Sequence, residues 1–240
     1  MKGVILAGGT GSRLAPLTKV TNKHLLPIYD RPMVYYPLQT MQAMGITSVL
    51  LVSGKGHAGH FLELLGRGSE FGLHLSYEVQ EEAGGIAQAL NLAKNFVGQE
   101  KFVVILGDNI LLDELSPEIQ AFEQGSKKAH VFLSEVKEPQ HYGVPRFEGE
   151  NLVEIIEKPS QPPSSYAVTG CYCYTPEVFE VIQKLKPSAR GELEISDVNN
   201  HYVQTGELGY SFLKSFWGDC GESIDAMMEV SAKMKALKGA

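Results

Sequence analysis

The chain has 240 residues, 43% of them hydrophobic and 20% charged, with a formal net charge of −7 at pH 7. This acidic balance argues against broad nucleic-acid binding, which needs a basic face, so no nucleic-acid partner is expected. No apolar run approaches the ~18 residues of a membrane span, and Met1 and Lys2 lead straight into a predicted strand rather than a signal peptide, so no membrane association is expected.

In the first half of the chain, predicted strands and helices alternate. Pro32 suits the first turn of a helix, Gly45 ends that helix, and Pro37 inside it predicts a kink. The predicted strands are 3–7, 48–53, 73–79 and 102–106, and the predicted helices are 33–44, 61–65, 86–96 and 114–124.

The second half has more strands for each helix. The predicted strands are 129–135, 152–157, 167–174 and 209–214, and the predicted helices are 176–185, 195–205 and 222–237. Strand–helix alternation predicts an α/β fold with a Rossmann-like, doubly wound parallel sheet, which the second half extends as a mixed sheet. We find no internal repeat or linker, and we expect one domain, 1–240, with two functional halves, about 1–110 and about 111–240.

The most informative stretch is residues 3–14, GVILAGGTGSRL. Its first half is a short apolar run, rich in β-branched residues, that predicts a buried strand. The glycines that follow have no Cβ to keep a bulky ligand away, and their successive backbone N–H groups suit an anion. Arg13 and Lys23 bring positive charge to the same place. We therefore predict a loop that holds a nucleoside triphosphate; the alternative is a turn without a ligand.

Two better-known glycine loops do not fit this stretch. A dinucleotide-binding G-x-G-x-x-G that starts at Gly9 and Gly11 would need a third glycine where Leu14 stands. A P-loop would need a glycine followed by lysine and then serine or threonine, and no glycine here is followed by that pair. The pattern therefore disfavours a nicotinamide-dependent dehydrogenase and a P-loop protein.

Polar side chains stand at the carboxyl ends of predicted strands, where open α/β sheets bind their ligands. Asp108 follows Gly107 at the end of a run of five apolar residues, 102–106, that is predicted to be buried, and a carboxylate beside bound phosphates is a natural Mg²⁺ ligand. Asp219, in the segment WGDCG, is a second carboxylate that would complete the site. Gln80 offers one acceptor and two donors, the set needed to read the edge of a base. Turn-capping aspartates and an exposed strand-end glutamine are the alternatives for these three residues.

Two further segments suit a sugar phosphate. Glu157 and Lys158 close a predicted strand with an acid and a base side by side, and such groups bind sugar hydroxyls and phosphate. Tyr142 and Gly143 offer an aromatic wall and an exposed backbone N–H. A surface strand terminus and a simple turn are the alternatives.

Histidine and cysteine spacings give little support for a transition-metal site. His57 and His60 lack a nearby third ligand, so two solvated histidines are favoured. Cys171 and Cys173 lie in an alternating strand pattern without a second pair, which argues against zinc. With Cys220 the cysteines are odd in number, which indicates a reducing, cytoplasmic compartment.

Nine segments of the chain form one ordered set of motifs: GGTGSRL, NKHLLPIYDRPMVYYPL, VQ followed by GGIAQAL, LGDNI, HYGV, EKP, YAVTGCY, RGELEISDVN and WGDCG. In this order they resemble the sugar-phosphate nucleotidylyltransferases over nearly the whole chain. The resemblance implies a fold of the nucleotide-diphospho-sugar transferase type and transfer of a thymidylyl group from dTTP to α-D-glucose 1-phosphate. Mg²⁺ would be the cofactor, and the products would be dTDP-glucose and pyrophosphate.

The resemblance also implies a role for individual residues. It assigns catalysis to Arg13, Lys23 and Asp108, and the metal to Asp108 and Asp219. The nucleotide-binding residues would be Leu6, Gly8, Gly9, Thr10, Gly11, Arg13, Gln80, Gly85, Asp108 and Asn109. The sugar-phosphate-binding residues would be Tyr142, Gly143, Glu157, Lys158 and Val168.

The chain departs from the family's pattern at three points. His24 stands where many relatives have glutamine, and Cys220 where a threonine usually follows the aspartate. Only one predicted helix follows Trp217, whereas longer relatives continue with a segment that helps form a second nucleotide site and subunit contacts. We therefore expect a simpler form in which feedback inhibition and the usual tetramer do not carry over unchanged, and a homo-oligomer, a dimer or a tetramer, is the expected assembly.

Two other functions compete with thymidylyl transfer. One methyl group separates thymine from uracil, and a hydrophobic pocket discriminates a methylene by only ~1–3 kcal/mol, so UTP is an alternative substrate. A non-catalytic sugar-nucleotide sensor on the same fold would be expected to have lost Arg13, Lys23 or a metal carboxylate, and all of them are present.

Overall fold

A computed structural model describes residues 1–239 of the chain. The helices are α1 (Tyr35–Ala43), α2 (Ala58–Leu65), α3 (Ile86–Asn91), α4 (Lys94–Val97), α5 (Ser116–Gln124), α6 (Val178–Ile182), α7 (Ile195–Gln204) and α8 (Ile224–Lys238). The strands are β1 (Lys2–Ala7), β2 (Pro27–Ile28), β3 (Arg31–Pro32), β4 (Ser48–Gly54), β5 (His74–Gln80), β6 (Phe102–Leu106), β7 (Asn109–Leu111), β8 (Ala129–Glu135), β9 (Gly143–Glu148), β10 (Asn151–Glu157), β11 (Tyr166–Tyr174), β12 (Leu208–Phe212) and β13 (Trp217–Asp219).

Seven strands form the central sheet in the order β12-β8-β11-β6-β1-β4-β5. β1 pairs in parallel with β4 and β6, so that Ile5 lies opposite Leu51 and Ile105. β11 alone runs against the others, because it pairs antiparallel with both β6 and β8 while β12 is parallel to β8. The strand order reverses between β1 and β6, since β4 and β5 lie on one side of β1 and the later strands lie on the other. Open α/β sheets bind their ligands at such a point.

Helices cover both faces of this sheet, as the continuous apolar runs of β1, β4 and β6 require. Val4 and Leu6 of β1 pack into a core with α3, α6 and α7, whereas Ile5 and Ala7 pack into a second core with α1, α2 and α5. A smaller apolar cluster lies beneath α8, where Met227 contributes to it. The predicted doubly wound, mixed α/β fold is therefore confirmed.

Three predicted helix details were wrong. Helix α1 begins at Tyr35, and the N–H groups of Met33 and Val34 instead pair with carbonyls of the preceding segment, each at 2.9 Å. Pro32 therefore lies in β3, and Pro37 falls in the first turn of α1 rather than inside the helix. The single helix predicted over 86–96 is two helices, since the backbone between them switches to shorter i→i−3 hydrogen bonds.

The sequence pattern also missed β9, which pairs with β10 as an antiparallel hairpin, and the short strands β7 and β13. Among residues 1–239, no helix is long and apolar enough to cross a membrane. Cys171 and Cys173 are buried in the second core, where burial raises the pKa of each thiol well above its usual value.

The partly buried His130 of β8 makes the stability depend on pH. Burial lowers its pKa from 6.5 to about 4, so below pH 6.5 the unfolded chain binds a proton that the folded protein does not. We expect the free energy of unfolding to fall by roughly 2–3 kcal/mol through this group between pH 6.5 and about 4.

Urea unfolding at pH 7.5 and at pH 4.5 measures this loss. His130→Gln should remove that part of the pH dependence, whereas replacing the exposed His74 by glutamine should leave the wild-type pH dependence in place. Equal pH dependence in His130→Gln and the wild type would contradict the prediction.

Candidate active site

A single cleft of about 500 Å³ lies at the carboxyl ends of β1, β5 and β6. Every residue predicted to form the site lines this cleft, although those residues are spread over more than two hundred positions of the chain. They are Leu6, Gly8, Gly9, Thr10, Gly11, Arg13, Lys23, Gln80, Gly85, Asp108, Asn109, Tyr142, Gly143, Glu157, Lys158, Val168 and Asp219.

The glycine loop after β1 has a backbone that other residues would strain. Gly9 and Gly11 have positive φ angles of 85° and 63°, the left-handed region that glycine enters without steric cost. The Thr18 hydroxyl donates to the Gly11 carbonyl at 2.9 Å, and a Cβ at Gly11 would come within 2.9 Å of the Thr18 methyl carbon. This packing holds the loop open toward the cleft.

The segment that carries Lys23 is held in place by the side chain of its neighbour Asn22. The Asn22 side chain donates to the Ala7 carbonyl at 3.3 Å, which ties the segment to β1, and accepts from the His24 N–H at 2.9 Å. Burial lowers the pKa of His24 to about 3, so its ring stays neutral. Lys23 is therefore the fixed cation of this segment, and its ammonium lies 2.5 Å from the Asp108 carboxylate.

Two carboxylates meet where β7 and β13 pair. Asp219 lies opposite Asn109 in this antiparallel pair, and the Cys220 N–H donates to the Asp108 carbonyl at 2.9 Å. Burial alone would raise the pKa of Asp108, but the nearby Lys23 ammonium and the hydrogen bonds from Lys23 and Asn109 together hold that pKa below its usual range. Asp219 has no such close partner, so burial and the negative charge of Asp108 raise its pKa to about 6.

This pair of carboxylates fits Mg²⁺. Two acidic groups in the lining of one cleft, one of them with a raised pKa, leave a negative charge that a divalent cation would relieve. Within residues 1–239 no third histidine, cysteine, aspartate or glutamate joins them. Mg²⁺ commonly takes one or two carboxylates and fills its other positions with substrate phosphates and water, so a two-carboxylate site suits it.

The side chain of Asn109 makes hydrogen bonds within the protein that the sequence did not indicate. Its Oδ1 accepts from the Trp217 indole N–H at 2.7 Å and from the Gly170 N–H at 2.8 Å, while its Nδ2 donates to Asp108 Oδ1 at 3.0 Å. A Cβ at Gly170 would overlap the Asn109 side chain, so the glycine makes room for it. The side chain predicted to contact the nucleotide therefore joins three strands and orients Asp108.

Trp217→Phe removes one donor of this cluster and part of the buried ring. We expect the free energy of unfolding to fall by about 1–2 kcal/mol, because the buried Asn109 oxygen loses a hydrogen bond and the smaller ring leaves a cavity. Since Trp217 is the one tryptophan of the chain, urea unfolding must be followed by circular dichroism rather than by fluorescence. Stability equal to the wild type would show that the indole hydrogen bond contributes nothing.

The opposite wall of the cleft carries the predicted sugar-phosphate residues. Glu157 ends β10, and its Oε2 accepts from the Ser196 hydroxyl at 3.0 Å. Lys158 has a positive φ of 46°, and its N–H donates to the Tyr142 carbonyl at 2.9 Å. These contacts bring the two predicted segments together at one rim.

Sequence reasoning missed a guanidinium on this wall. Arg190 lies 2.8 Å from Glu194 and 3.3 Å from Glu157, and it lines the cleft. The signal was present, since Arg190 opens the RGELEISDVN segment that carries the resemblance. The histidine pair, by contrast, lies outside the lining of this cleft, with the rings of His57 and His60 6.0 Å apart.

The fold and the cleft define an α/β protein of the nucleotidyltransferase class. The model of the nucleotidyl transferase family matches residues 2–236, and the chain belongs to this family. It is 44% identical to the glucose-1-phosphate thymidylyltransferase of Neisseria meningitidis over 227 residues, 92% of this chain and 78% of that protein. The protein is thus an enzyme of the nucleotidyltransferase type, and this family generally uses a divalent metal.

Solved structures agree with this assignment. A structure described as a glucose-1-phosphate thymidylyltransferase from Bacillus anthracis, in complex with a sucrose, is 48% identical, with a TM-score of 0.93 and coverage of 97% of this chain and 94% of that one. A UDP-glucose pyrophosphorylase complexed with UDP-glucose is 25% identical, with a TM-score of 0.85 and coverage of 98% of both chains. The predicted family and fold are therefore confirmed.

Proposed function

We propose that the protein transfers a thymidylyl group from dTTP to α-D-glucose 1-phosphate, with Mg²⁺ as the metal, and releases pyrophosphate. The observation that carries the proposal is the meeting of Arg13, Lys23 and Lys158 with two carboxylates in one cleft at the carboxyl edge of the sheet. The names of its relatives support the same reaction.

On this proposal the nucleotide lies along the glycine loop. The bare backbone from Gly8 to Gly11 surrounds the nucleotide, with Gln80 and Gly85 at the base, and Arg13 holds the triphosphate. Lys23 lies beside the reacting phosphorus, where its ammonium neutralises the charge that develops on the phosphate oxygens. Asp108 and Asp219 would hold the metal, which would supply further neutralisation of the phosphates.

The sugar phosphate occupies the opposite wall. Lys158 binds its phosphate, while Glu157, the Gly143 N–H and Val168 face the sugar, beside the ring of Tyr142. Its phosphate oxygen is already an anion near neutral pH, so the displacement at the α-phosphorus needs no general base. Catalysis then consists of bringing two polyanions together in line and neutralising their charge.

This arrangement also favours two functional halves in one domain. The nucleotide residues named above lie within about 1–110, and the sugar-phosphate residues lie within about 111–240. Asp219 comes from the second half and meets Asp108 from the first, so the metal site joins the two. A cytoplasmic location and a homo-oligomeric assembly remain predictions.

Pyrophosphate release tests the proposal over a grid of nucleoside triphosphates and sugar 1-phosphates in the presence of Mg²⁺. We expect dTTP with glucose 1-phosphate to give the highest kcat/KM. UTP is the second candidate, supported by the structural likeness to a UDP-glucose pyrophosphorylase. Nucleotide binding without pyrophosphate release for any pair would contradict catalysis and favour a sensor.

A further inference from the structure

Gln88 of α3 lies behind Gln80, away from every role assigned so far. Its Oε1 accepts two hydrogen bonds, from Gln80 Nε2 at 2.6 Å and from the Gly84 N–H at 3.2 Å. Gln80 Nε2 also lies 3.5 Å from the Gly85 carbonyl. The side chain of Gln80 is therefore fixed by Gln88 of α3 and by the turn that precedes this helix.

The backbone sets the direction of this chain of hydrogen bonds. A backbone N–H can only donate, so the Gly84 N–H requires the oxygen of the Gln88 amide at this position. That oxygen can only accept, so Gln80 must turn its NH₂ group toward Gln88. The Gly85 carbonyl demands the same orientation, because it too can only accept.

The carbonyl oxygen of Gln80 consequently points the other way. It lies toward the glycine loop, where a Cβ at Gly8 would come within 2.5 Å of it. Among residues 1–239 no side chain or backbone group donates a hydrogen bond to this oxygen. The Gln80 oxygen is thus an acceptor at the lining of the cleft that is open to a donor from a ligand.

We propose that Gln88 is a positioning residue that fixes the donor–acceptor sense of Gln80 and thereby selects a pyrimidine with an N–H at ring position 3. Thymine and uracil carry a donor there, whereas cytosine carries a lone pair that would face the Gln80 oxygen. This inference rests on the proposed function, in which Gln80 reads the base. It assigns the discrimination of thymine and uracil against cytosine to Gln88, which contacts neither base nor phosphate.

Two variants separate polarity from packing. Gln88→Met keeps the length of the side chain but has no strong acceptor, so it frees the Gln80 amide to turn over. Gln88→Glu keeps an acceptor for both the Gly84 N–H and Gln80. The measurements are kcat and KM with dTTP and dCTP at saturating glucose 1-phosphate, and calorimetric dissociation constants of the two nucleotides without sugar phosphate.

We expect Gln88→Met to lower the dTTP-over-dCTP ratio of kcat/KM at least tenfold, mostly through a higher KM for dTTP, with kcat changed less than about threefold. Gln88→Glu should keep the ratio within about threefold of the wild-type value. A wild-type ratio in Gln88→Met would overturn the proposal, as would an equal loss in both variants, since packing would then explain it.

Failure of the proposed function would look different. It would appear in the wild type, as absence of pyrophosphate release with either dTTP or UTP. The dissociation constants then decide the inference about Gln88 by themselves. Equal wild-type affinity for dTTP and dCTP would overturn it, and a preference for dTTP that Gln88→Met loses and Gln88→Glu keeps would support it.

Discussion

Replacing Arg13 by alanine should lower kcat at least about a hundredfold while the fold survives, a loss of roughly 3–4 kcal/mol of transition-state stabilisation. The Arg13 side chain is exposed, lines the cleft and forms no ion pair with another described residue, so its removal leaves no buried group unpaired. Its guanidinium is free to hold the triphosphate and the departing pyrophosphate with paired N–H donors.

Steady-state pyrophosphate release with dTTP measures the effect, and circular dichroism checks the fold. Arg67 provides the matched control, because it is an exposed arginine outside the lining of the cleft. Arg67→Ala should retain the wild-type kcat. A kcat for Arg13→Ala within about threefold of the wild type would show that Arg13 does not take part in the reaction.

Asp108→Asn is expected to have the larger effect, a fall in kcat/KM of at least about a thousandfold, or about 4 kcal/mol. The amide removes one of the two negative charges that hold the metal, and it deprives the Lys23 ammonium of a carboxylate at 2.5 Å. Its oxygen can still accept from Asn109 Nδ2, so the local hydrogen bond is kept. The concentration of Mg²⁺ that gives half-maximal rate should rise at least about tenfold.

A Mg²⁺ titration of the rate distinguishes loss of the metal from loss of the ion pair. Asp219→Asn leaves the Lys23–Asp108 pair in place, so it should raise the Mg²⁺ requirement without disturbing Lys23. The exposed Asp225 of α8 supplies a control carboxylate, and Asp225→Asn should behave as the wild type. An unchanged Mg²⁺ requirement in both Asp108→Asn and Asp219→Asn would show that these carboxylates do not hold the metal.

The elements with a strong apolar period could be predicted closely from the sequence. The strands β6 and β8 have the predicted bounds, because the runs of buried apolar residues inside them leave little choice of register. β9 could not be predicted in the same way, since Gly143 and Pro145 are residues that strands disfavour. Pairing with β10 overrides that local preference.

Residues of the candidate site could be predicted where the residue type and its position after a strand indicate the chemistry. Asp108 after a buried strand and the glycines of residues 8–11 pointed to the cleft directly. The hydrogen bonds of Asn109 within the protein and the approach of Arg190 to Glu157 depend on tertiary distances, which a local sequence pattern does not contain. Long-range hydrogen bonds of this kind are the part of a site that a single sequence hides.

The reversed strand β11 has a consequence for truncated forms of the protein. It covers the hydrogen-bonding edge of β6 from Phe102 to Ile105, although it comes some sixty residues later in the chain. A fragment ending near residue 110 would present that edge bare, in one of the most apolar segments of the molecule. Bare apolar edges recruit other chains, so such a fragment should self-associate rather than survive as a soluble nucleotide-binding piece.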